Sequence, residues 1–586
     1  MIKNLTYQFL KLARICNAYP VKPDALYSLA FKDPRLRGND NQMSGLVLAE
    51  TGKIWNSAHT YCIQFFTAVL LLIHFQANAQ VSLPLNREII QRLEPEILRQ
   101  TPDFFTSLKP YDEWQLRKSI NVDSLLSFNR NNKHSSWFGR KLFEESLLQV
   151  DSQAYSLKID PVFDFSLGKE AGNSQNLIGN TRGFLIRCRI GKAIGIESSF
   201  YENQVFFPKV WDQFINKYRV APGQSRAKRY HSTGWDFAYA TGSITWKPKG
   251  VFSLQLGQGK NFIGDGYRSL LLSDVSSTYP FVKFSLTWKK FQYTRIMASL
   301  QNLDYLIINK DTKEFPQKIA NFHLLSFNTF KNLQVSLFEG IILNNPDPSG
   351  KFSLNFDVVN PIPFIDVLYR NSSNETKINS VGGINLSWHI SPHLQLYNQW
   401  SFDDPIHKEF DGNNGINQYG SQVGLKYFDA FKVKNLYFQS EFNLVQPFTY
   451  SQGDSVISYS HFDQPLAHPL GANFYEFTEI ANYRFKRLYA EYILTYANYG
   501  TDNNTGLSGK DILRPHTQFS NTFLQGIKTT LVTHQARLAW YLNPATNSCI
   551  SFGVYWQSQK SALNNISTKM FYVSFSTNLR NLYYDF

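Results

Sequence analysis

Three groups of side chains in this sequence have the types and spacing to do chemistry. The densest lies between Gly257 and Pro280, where Gly264 and Gly266 flank Asp265, Tyr267 and Arg268 follow, and Asp274 closes the group. Glycine permits positive φ and close backbone approach, and a guanidinium can hold a carboxylate or phosphate through two hydrogen bonds. Asp265, Tyr267, Arg268 and Asp274 therefore carry two readings. Either the loop folds into a lumen and contacts a polysaccharide or narrows a pore, or Arg268 pins a structural loop by bridging to Asp265 or Asp274.

The second group is the basic connection ahead of Trp235, with Trp211, Lys217, Tyr218, Arg219, Arg226, Lys228 and Arg229. Aromatic rings there would stack on sugars and the cations would meet acidic groups. For any one residue the alternative is a solvated loop. The third group is hydrolytic. His389, His534 and Ser551 fall on strand-like runs, but nucleophilic catalysis needs a Ser and a His within hydrogen-bond reach, and nothing in the sequence pairs them. Asp403 and Asp404 open a loop after Trp400 and read as turn residues. The expectation is a protein that is not an enzyme. No Cys/His spacing suggests a metal site, and no cofactor is expected.

Those groups need a scaffold, and composition narrows it. Aromatic residues make up 16% of the 586 (Phe 48, Tyr 32, Trp 11), yet mean hydropathy is −0.30. A helical membrane protein needs about 20 consecutive apolar residues per span, and no such run follows residue 80. A membrane barrel needs only alternate residues apolar, plus aromatic girdles. From about residue 157 the period is two. Lys351–Val358, Gly383–Ile390, Leu436–Leu444 and Ile550–Trp556 alternate apolar with polar residues. In Phe184–Ile190 the second face carries Arg187 and Arg189, which suits a wet lumen.

Connection lengths point the same way. Short turns are expected at 247–250, 289–290, 331–332, 391–392, 431–435 and 543–547. Long polar connections fall at 204–234, 258–279, 302–320, 403–417, 446–472 and 499–528. Short periplasmic turns alternating with long outer loops are an outer-membrane pattern. A strand near Pro363–Arg370 keeps the parity. The expected fold is all-β, a transmembrane antiparallel outer-membrane β-barrel of about 18 strands, range about 16–20, occupying 157–586.

The segment before the barrel, 80–156, reads as a small periplasmic helical part, because Ile89, Ile90, Leu93 and Ile97 have helical spacing. Short helical pieces are expected at 123–127 and 138–148. Residues 54–79 read as a signal peptide, with an apolar core from Phe65 to Phe75 and Ala77–Asn78–Ala79 before a start at Gln80. Cys62 lacks the small-residue context of a lipid-modified cysteine. Residues 1–53 read as an over-extended or disordered N-terminus, with a start near Met43 or just before Ile54. Cys188 and Cys549 are expected to be free thiols.

The chain ends on Phe586, as many outer-membrane barrels end on an aromatic strand. Phe571, Val573 and Phe575, however, lie in the opposite parity to Leu582, Tyr584 and Phe586. Either a bulge separates the two frames, or the strand ends near 577 and the tail is periplasmic. The net charge is +14; residues 1–80 carry eight Lys/Arg and four Asp/Glu, which leaves about +10 on the remainder. Such a surface suits lipopolysaccharide, acidic polysaccharide or anionic headgroups. Nucleic acid is not expected in that compartment, and no Gly-rich phosphate loop supports it.

Between Gly259 and Asp274, with Tyr279–Pro280 after it, the chain resembles the Wzi-type capsule-assembly outer-membrane family, in the form found in Bacteroidetes gliding-motility proteins. Phe105–Tyr111, Trp137–Phe143 and Asp160–Phe165 resemble that group as well. The likeness spans most of 80–586, with its specific motifs confined to about 105–280. It implies a monomeric barrel of about 18 strands that attaches or assembles surface exopolysaccharide or supports motility, inserted by the barrel-assembly machinery, with no catalytic set to transfer. A diffusion porin is the alternative. A receptor with a large plug domain would need more chain than 81–156 supplies.

Overall fold

A computed structural model describes residues 82–586 except 102, 127–133, 153, 192, 304–314, 331, 345–377, 404–417, 504–505, 515–521 and 578–579. The N-terminal stretch 1–53, the signal peptide 54–79 and the strand segments 351–358 and 363–370 lie outside the described residues.

The period-two runs form strands. The first nine long strands are β1 (Tyr155–Glu170), β2 (Asn176–Ile190), β3 (Ile194–Val205), β4 (Gly234–Lys249), β5 (Phe252–Gly259), β6 (Tyr279–Trp288), β7 (Phe291–Gln301), β8 (Gln317–Phe330) and β9 (Leu333–Asn344). The second nine are β10 (Ile378–Ser391), β11 (Leu394–Asp403), β12 (Tyr419–Phe428), β13 (Leu436–Val445), β14 (Phe474–Phe485), β15 (Leu488–Thr501), β16 (Ile527–Asn543), β17 (Ser548–Ser561) and β18 (Asn565–Ser576). These 18 close one antiparallel barrel, sealed where Met570–Ser576 of β18 pairs with Glu170–Asp164 of β1. β9 pairs directly with β10, from Leu333 opposite Trp388 to Leu343 opposite Ile378. These two are therefore neighbours in the wall, and the alternation of sides holds across them.

All the expected short turns lie on one side of the barrel and the long connections on the other. Two loop-side connections, 171–175 and 562–564, are short as well, so loop lengths separate the sides less strictly than the sequence suggests.

The even-numbered residues of β2, β10, β13 and β17 point outward, and they include the large apolar ones. Phe184, Trp388, Phe442, Ile550 and Phe552 are exposed. Water would penalise such a belt by about 25 cal/mol per Å², whereas hydrocarbon does not. On β7–β9 the belt is interrupted. Arg295, His323 and Glu339 share one outward rung, and each is buried, so that rung is covered. No helix among the described residues is long and apolar enough to cross a membrane. Cys188 points outward and Cys549 inward, so they remain separate thiols.

The lumen is filled. Helix α1 (Arg87–Gln100) begins at Asn86, whose side chain accepts the Ile89 N–H. Its apolar stripe, Ile89, Ile90, Leu93 and Ile97, packs with Tyr111, Leu116 of α2 (Glu113–Arg117) and Val122 of α3 (Val122–Leu126). Its polar side meets the barrel wall. Glu94 pairs with Lys426 at 2.7 Å, Arg87 with Glu491 at 2.9 Å, and Glu88 with Arg537 and Tyr541. The helical segment thus sits in the turn-side mouth as a plug. A further helix, α4 (Trp137–Phe143), lies by the rim and ends earlier than the expected 138–148, and Leu148–Asp151 forms a short strand on the lower part of β1.

The wet lumen is also corrected. Ile296, Leu300, Phe322, Phe338 and Ile342 face inward and form one buried cluster with Leu270, Leu271 and Leu272 of the Gly-rich loop. This half of the lumen is packed like a globular interior.

Candidate functional site

The Gly-rich loop, 260–278, enters the lumen because its ends are held by β5 and β6 and its centre is apolar. Phe262–Ile263 pairs with Leu108–Lys109, and the Ile263 N–H donates to the Leu272 carbonyl at 2.7 Å. Gly264 has φ +144°, and a Cβ on Gly266 would stand 2.7 Å from the Arg268 carbonyl oxygen. These two glycines do the conformational work expected of them.

Arg268 does not bridge to Asp265 or Asp274. Its guanidinium holds Glu476 of β14 at 3.1 Å and Asp585 of the C-terminal tail at 3.1 Å, with all three side chains fully buried. Burial opposes the charge on Arg268, and Asp585 and Glu476 outweigh it. Tyr267 donates its hydroxyl to Asp585 at 2.9 Å, and Asp265 accepts from Asn385 at 3.0 Å. Asp274 accepts from Asn581 at 3.0 Å and from Tyr583 at 2.9 Å. All four sequence-named residues on this loop are therefore pins between chain segments, and none of them faces an open surface.

The pins reveal the tail. After Ser576 the chain leaves the wall and turns into the lumen. Arg580 donates to Asp164 at 2.8 Å and to Asn203, Gln224 and Tyr239 at 3.2–3.3 Å. Phe586 packs against Trp211 and Phe214, with ring centroids at 5.2 and 5.7 Å. The strand end near 577 is as expected. The periplasmic tail and the interfacial Phe586 are not, because the tail carries buried hydrogen-bonding partners that lie inside the barrel.

Trp211 and Phe214 belong to α5 (Lys209–Tyr218) in the loop-side connection 206–233. Trp211 is buried against Tyr584 and Phe586, so it caps the lumen and offers no stacking platform. Arg229 is committed to Asp212 at 2.9 Å and lies 3.9 Å over the Trp235 ring. Arg226 lies over Phe315. Arg219, the positive-φ residue after α5, and Lys228 are exposed.

Lys217 and Tyr218 of the basic group reach a cavity at the loop-side mouth. It has a volume of about 310 Å³ and opens among α5, the 446–473 loop and the 502–526 loop, with Phe586 at its base. The Lys217 ammonium donates to the Tyr218 hydroxyl at 2.8 Å and lies 3.9 Å from Asp511. Arg514 pairs with Asp502 at 2.8 Å. Lys510 lies 4.6 Å over the Tyr499 ring, and burial lowers its pKa to about 8. Rings, cations and carboxylates around a space of this size suit a sugar with polar or acidic substituents. Sequence reasoning missed Lys510, Asp511 and Arg514, which sit in a connection recognised only as long and polar. A second cavity, about 340 Å³, runs beside the tail within the lumen, between Arg87 and Trp211.

The hydrolytic residues do not converge. His389 faces the lumen, His534 stacks outward on Trp556 at 4.7 Å, and Ser551 is bonded to Ser574 at 2.7 Å. Among the described residues no His/Cys/Asp/Glu group could hold a metal ion.

No protein-family model matches the sequence, and neither does any curated protein. Among solved structures the chain is similar to Wzi of Escherichia coli, an outer-membrane protein involved in group 1 capsule assembly and described as a carbohydrate-binding β-barrel. The match has 12% identity and a TM-score of 0.52 over 85% of this chain and 99% of that one. Two Pseudomonas aeruginosa barrels also match. OprD has a TM-score of 0.38 at 10% identity, over 72% of this chain and 94% of that one. OccK8 (OprE) has 0.39 at 10%, over 71% and 97%. At these identities the likeness is one of fold, and the chain has the fold of an outer-membrane β-barrel like that of Wzi.

Proposed function

We propose that this protein is a non-enzymatic outer-membrane barrel that holds surface exopolysaccharide at its loop-side mouth, in the manner of a capsule-attachment protein. One observation carries the reading. The lumen is occupied by α1, the Gly-rich loop and the C-terminal tail, locked by buried ion pairs such as Arg268–Glu476, while the mouth above them keeps a cavity lined by Tyr218, Lys217, Lys510 and Asp511. A filled lumen suits attachment better than bulk diffusion, and rings beside charged groups suit sugars. The same attachment would serve a capsule or a gliding cell, so motility is a cellular consequence and adds no further chemistry.

The test uses Tyr218→Ala and Lys510→Ala in the intact protein. Expected is loss of cell-bound polysaccharide into the medium, at unchanged barrel level and unchanged heat-resistant migration. Retention equal to the parent would reject the site. The porin reading is supported by the 340 Å³ cavity beside the tail. A large steady conductance in planar bilayers would favour it over attachment.

A further inference from the structure

Just ahead of the barrel, residues 137–151 expose an apolar series. Trp137, Phe138 and Leu142 of α4 are 60%, 68% and 43% exposed, and Leu148 and Val150 are 57% and 48% exposed. A soluble segment would bury such a group. This one is also held firmly. The Asn543 side chain donates to the Lys141 and Glu145 carbonyls at 3.0 and 2.9 Å, and the Leu147 N–H donates to Asp160 at 2.9 Å. The exposed face is therefore fixed against the rims of β16 and β1.

The register says which way the short strand faces. Leu148 stands opposite Ile159 of β1, and Val150 opposite Leu157. Directly opposed residues of an antiparallel pair share a face. The inward residues of β1 are Asp160, Val162 and Asp164, so Leu157 and Ile159 point outward, and Leu148 and Val150 point outward with them. The rung through Val150 continues around the barrel as Leu157, Cys188, Ile196, Ile244 and Leu256. Val150 is thus continuous with the lipid-facing surface of the wall.

The position has a structural reason. β18 pairs with β1 only down to Asp164 and then turns inward at Thr577, whose N–H donates to the Phe163 carbonyl at 2.9 Å. Below that point the edge of β1 would leave backbone groups open to hydrocarbon, which is not tolerated. Strand 148–151 pairs with residues 156–159 of that edge.

We propose that residues 137–151 are embedded in the phospholipid of the periplasmic leaflet, with 148–151 acting as a part-strand of the membrane wall and α4 as an interfacial helix. The recognised partner is acyl chain and not a headgroup charge, because Arg140 and Lys141 are already paired with Glu145 at 3.3 and 2.9 Å. Trp137, Phe138 and Leu142 would enter the boundary region by about 5–10 Å.

The test places a bimane fluorophore on Phe138→Cys, and separately on Leu148→Cys, in full-length protein with Cys16, Cys62, Cys188 and Cys549 replaced by serine. The protein is reconstituted in phosphatidylcholine vesicles with or without brominated acyl chains, and heat-resistant migration confirms folding. A probe on Lys209→Cys, on the exposed first residue of α5, is the water-facing control. Expected is a loss of fluorescence of about twofold or more with brominated lipid at 138 and 148, and none at 209. Quenching at 138 and 148 no greater than at 209 would overturn the proposal and leave the face to water or a periplasmic protein. If either labelled variant fails to fold, Leu142→Cys replaces it with the same expected result.

Discussion

Arg268→Met probes the point on which the plug turns. The guanidinium sits between Glu476 and Asp585 at 3.1 Å from each, with no side-chain exposure at any of the three, and its plane also lies 4.7 Å from the Tyr267 ring. Removing it leaves two buried carboxylates facing one another with no guanidinium between them, Glu476 keeping the His468 ring at 2.8 Å. Breaking a buried pair in this way costs about 3–5 kcal/mol. The tail can relieve it by undocking, so the population with 577–586 released should rise by about 150-fold or more. Hydrogen exchange reads this opening directly, in peptides covering 260–278 and 577–586, while the strands β10–β17 keep the parent's protection. Asp585→Asn alone should cost less, because Arg268 keeps Glu476. In the double variant the Asn no longer needs a counter-charge, so its cost should fall short of the summed singles by about 1–3 kcal/mol. Exchange in the tail that rises less than tenfold, or additive costs, would refute the assignment of Arg268 as the pin.

The 446–473 loop should loosen in acid. His461 accepts the Gln301 N–H at Nδ1 (3.0 Å) and donates from Nε2 to the Thr278 carbonyl (3.2 Å), and burial lowers its pKa to about 3. The undocked loop takes up a proton near pH 6.5 and the docked one does not, so docking is strongest above pH 6.5 and weakens as pH falls toward 3. At pH 5 the loss is about 2 kcal/mol, seen as faster exchange in 446–473, and His461→Asn should abolish the pH dependence. Gly266→Ala would push a methyl into the Glu441 carboxylate and the Arg268 carbonyl and should destabilise by about 1–3 kcal/mol. Gly506→Ala, with open space around it, should leave the heat-resistant band unchanged.

The wall was legible in the sequence, and the contents of the barrel were not. Alternation in Gly383–Ile390 and Ile550–Trp556 marks strands because a membrane wall needs one apolar face, and that need acts residue by residue. The helix at 87–100 was legible for the same local reason, since Ile89, Ile90, Leu93 and Ile97 lie on one stripe. Its location was not, because Glu88, Gln91 and Glu94 read equally well as a solvated face. The candidate site was legible only in part. Lys217 and Tyr218 reach the mouth cavity, but Trp211 and Arg268 are buried supports, and Lys510 could not be singled out.

By itself, then, the sequence determined an outer-membrane type of barrel of about 18 strands, the sidedness of its connections and the glycine-dependent path of the 260–278 loop. These rest on periodicity and backbone freedom, which neighbouring residues decide. Only the tertiary structure decided that α1, the Gly-rich loop and the tail pack inside the barrel, that Arg268 answers to Glu476 and Asp585 across about 208 and 317 positions of chain, and that Phe586 lies under α5. A buried charge must find its counter-charge wherever the fold brings one, and no pattern of neighbours in the chain records where that is.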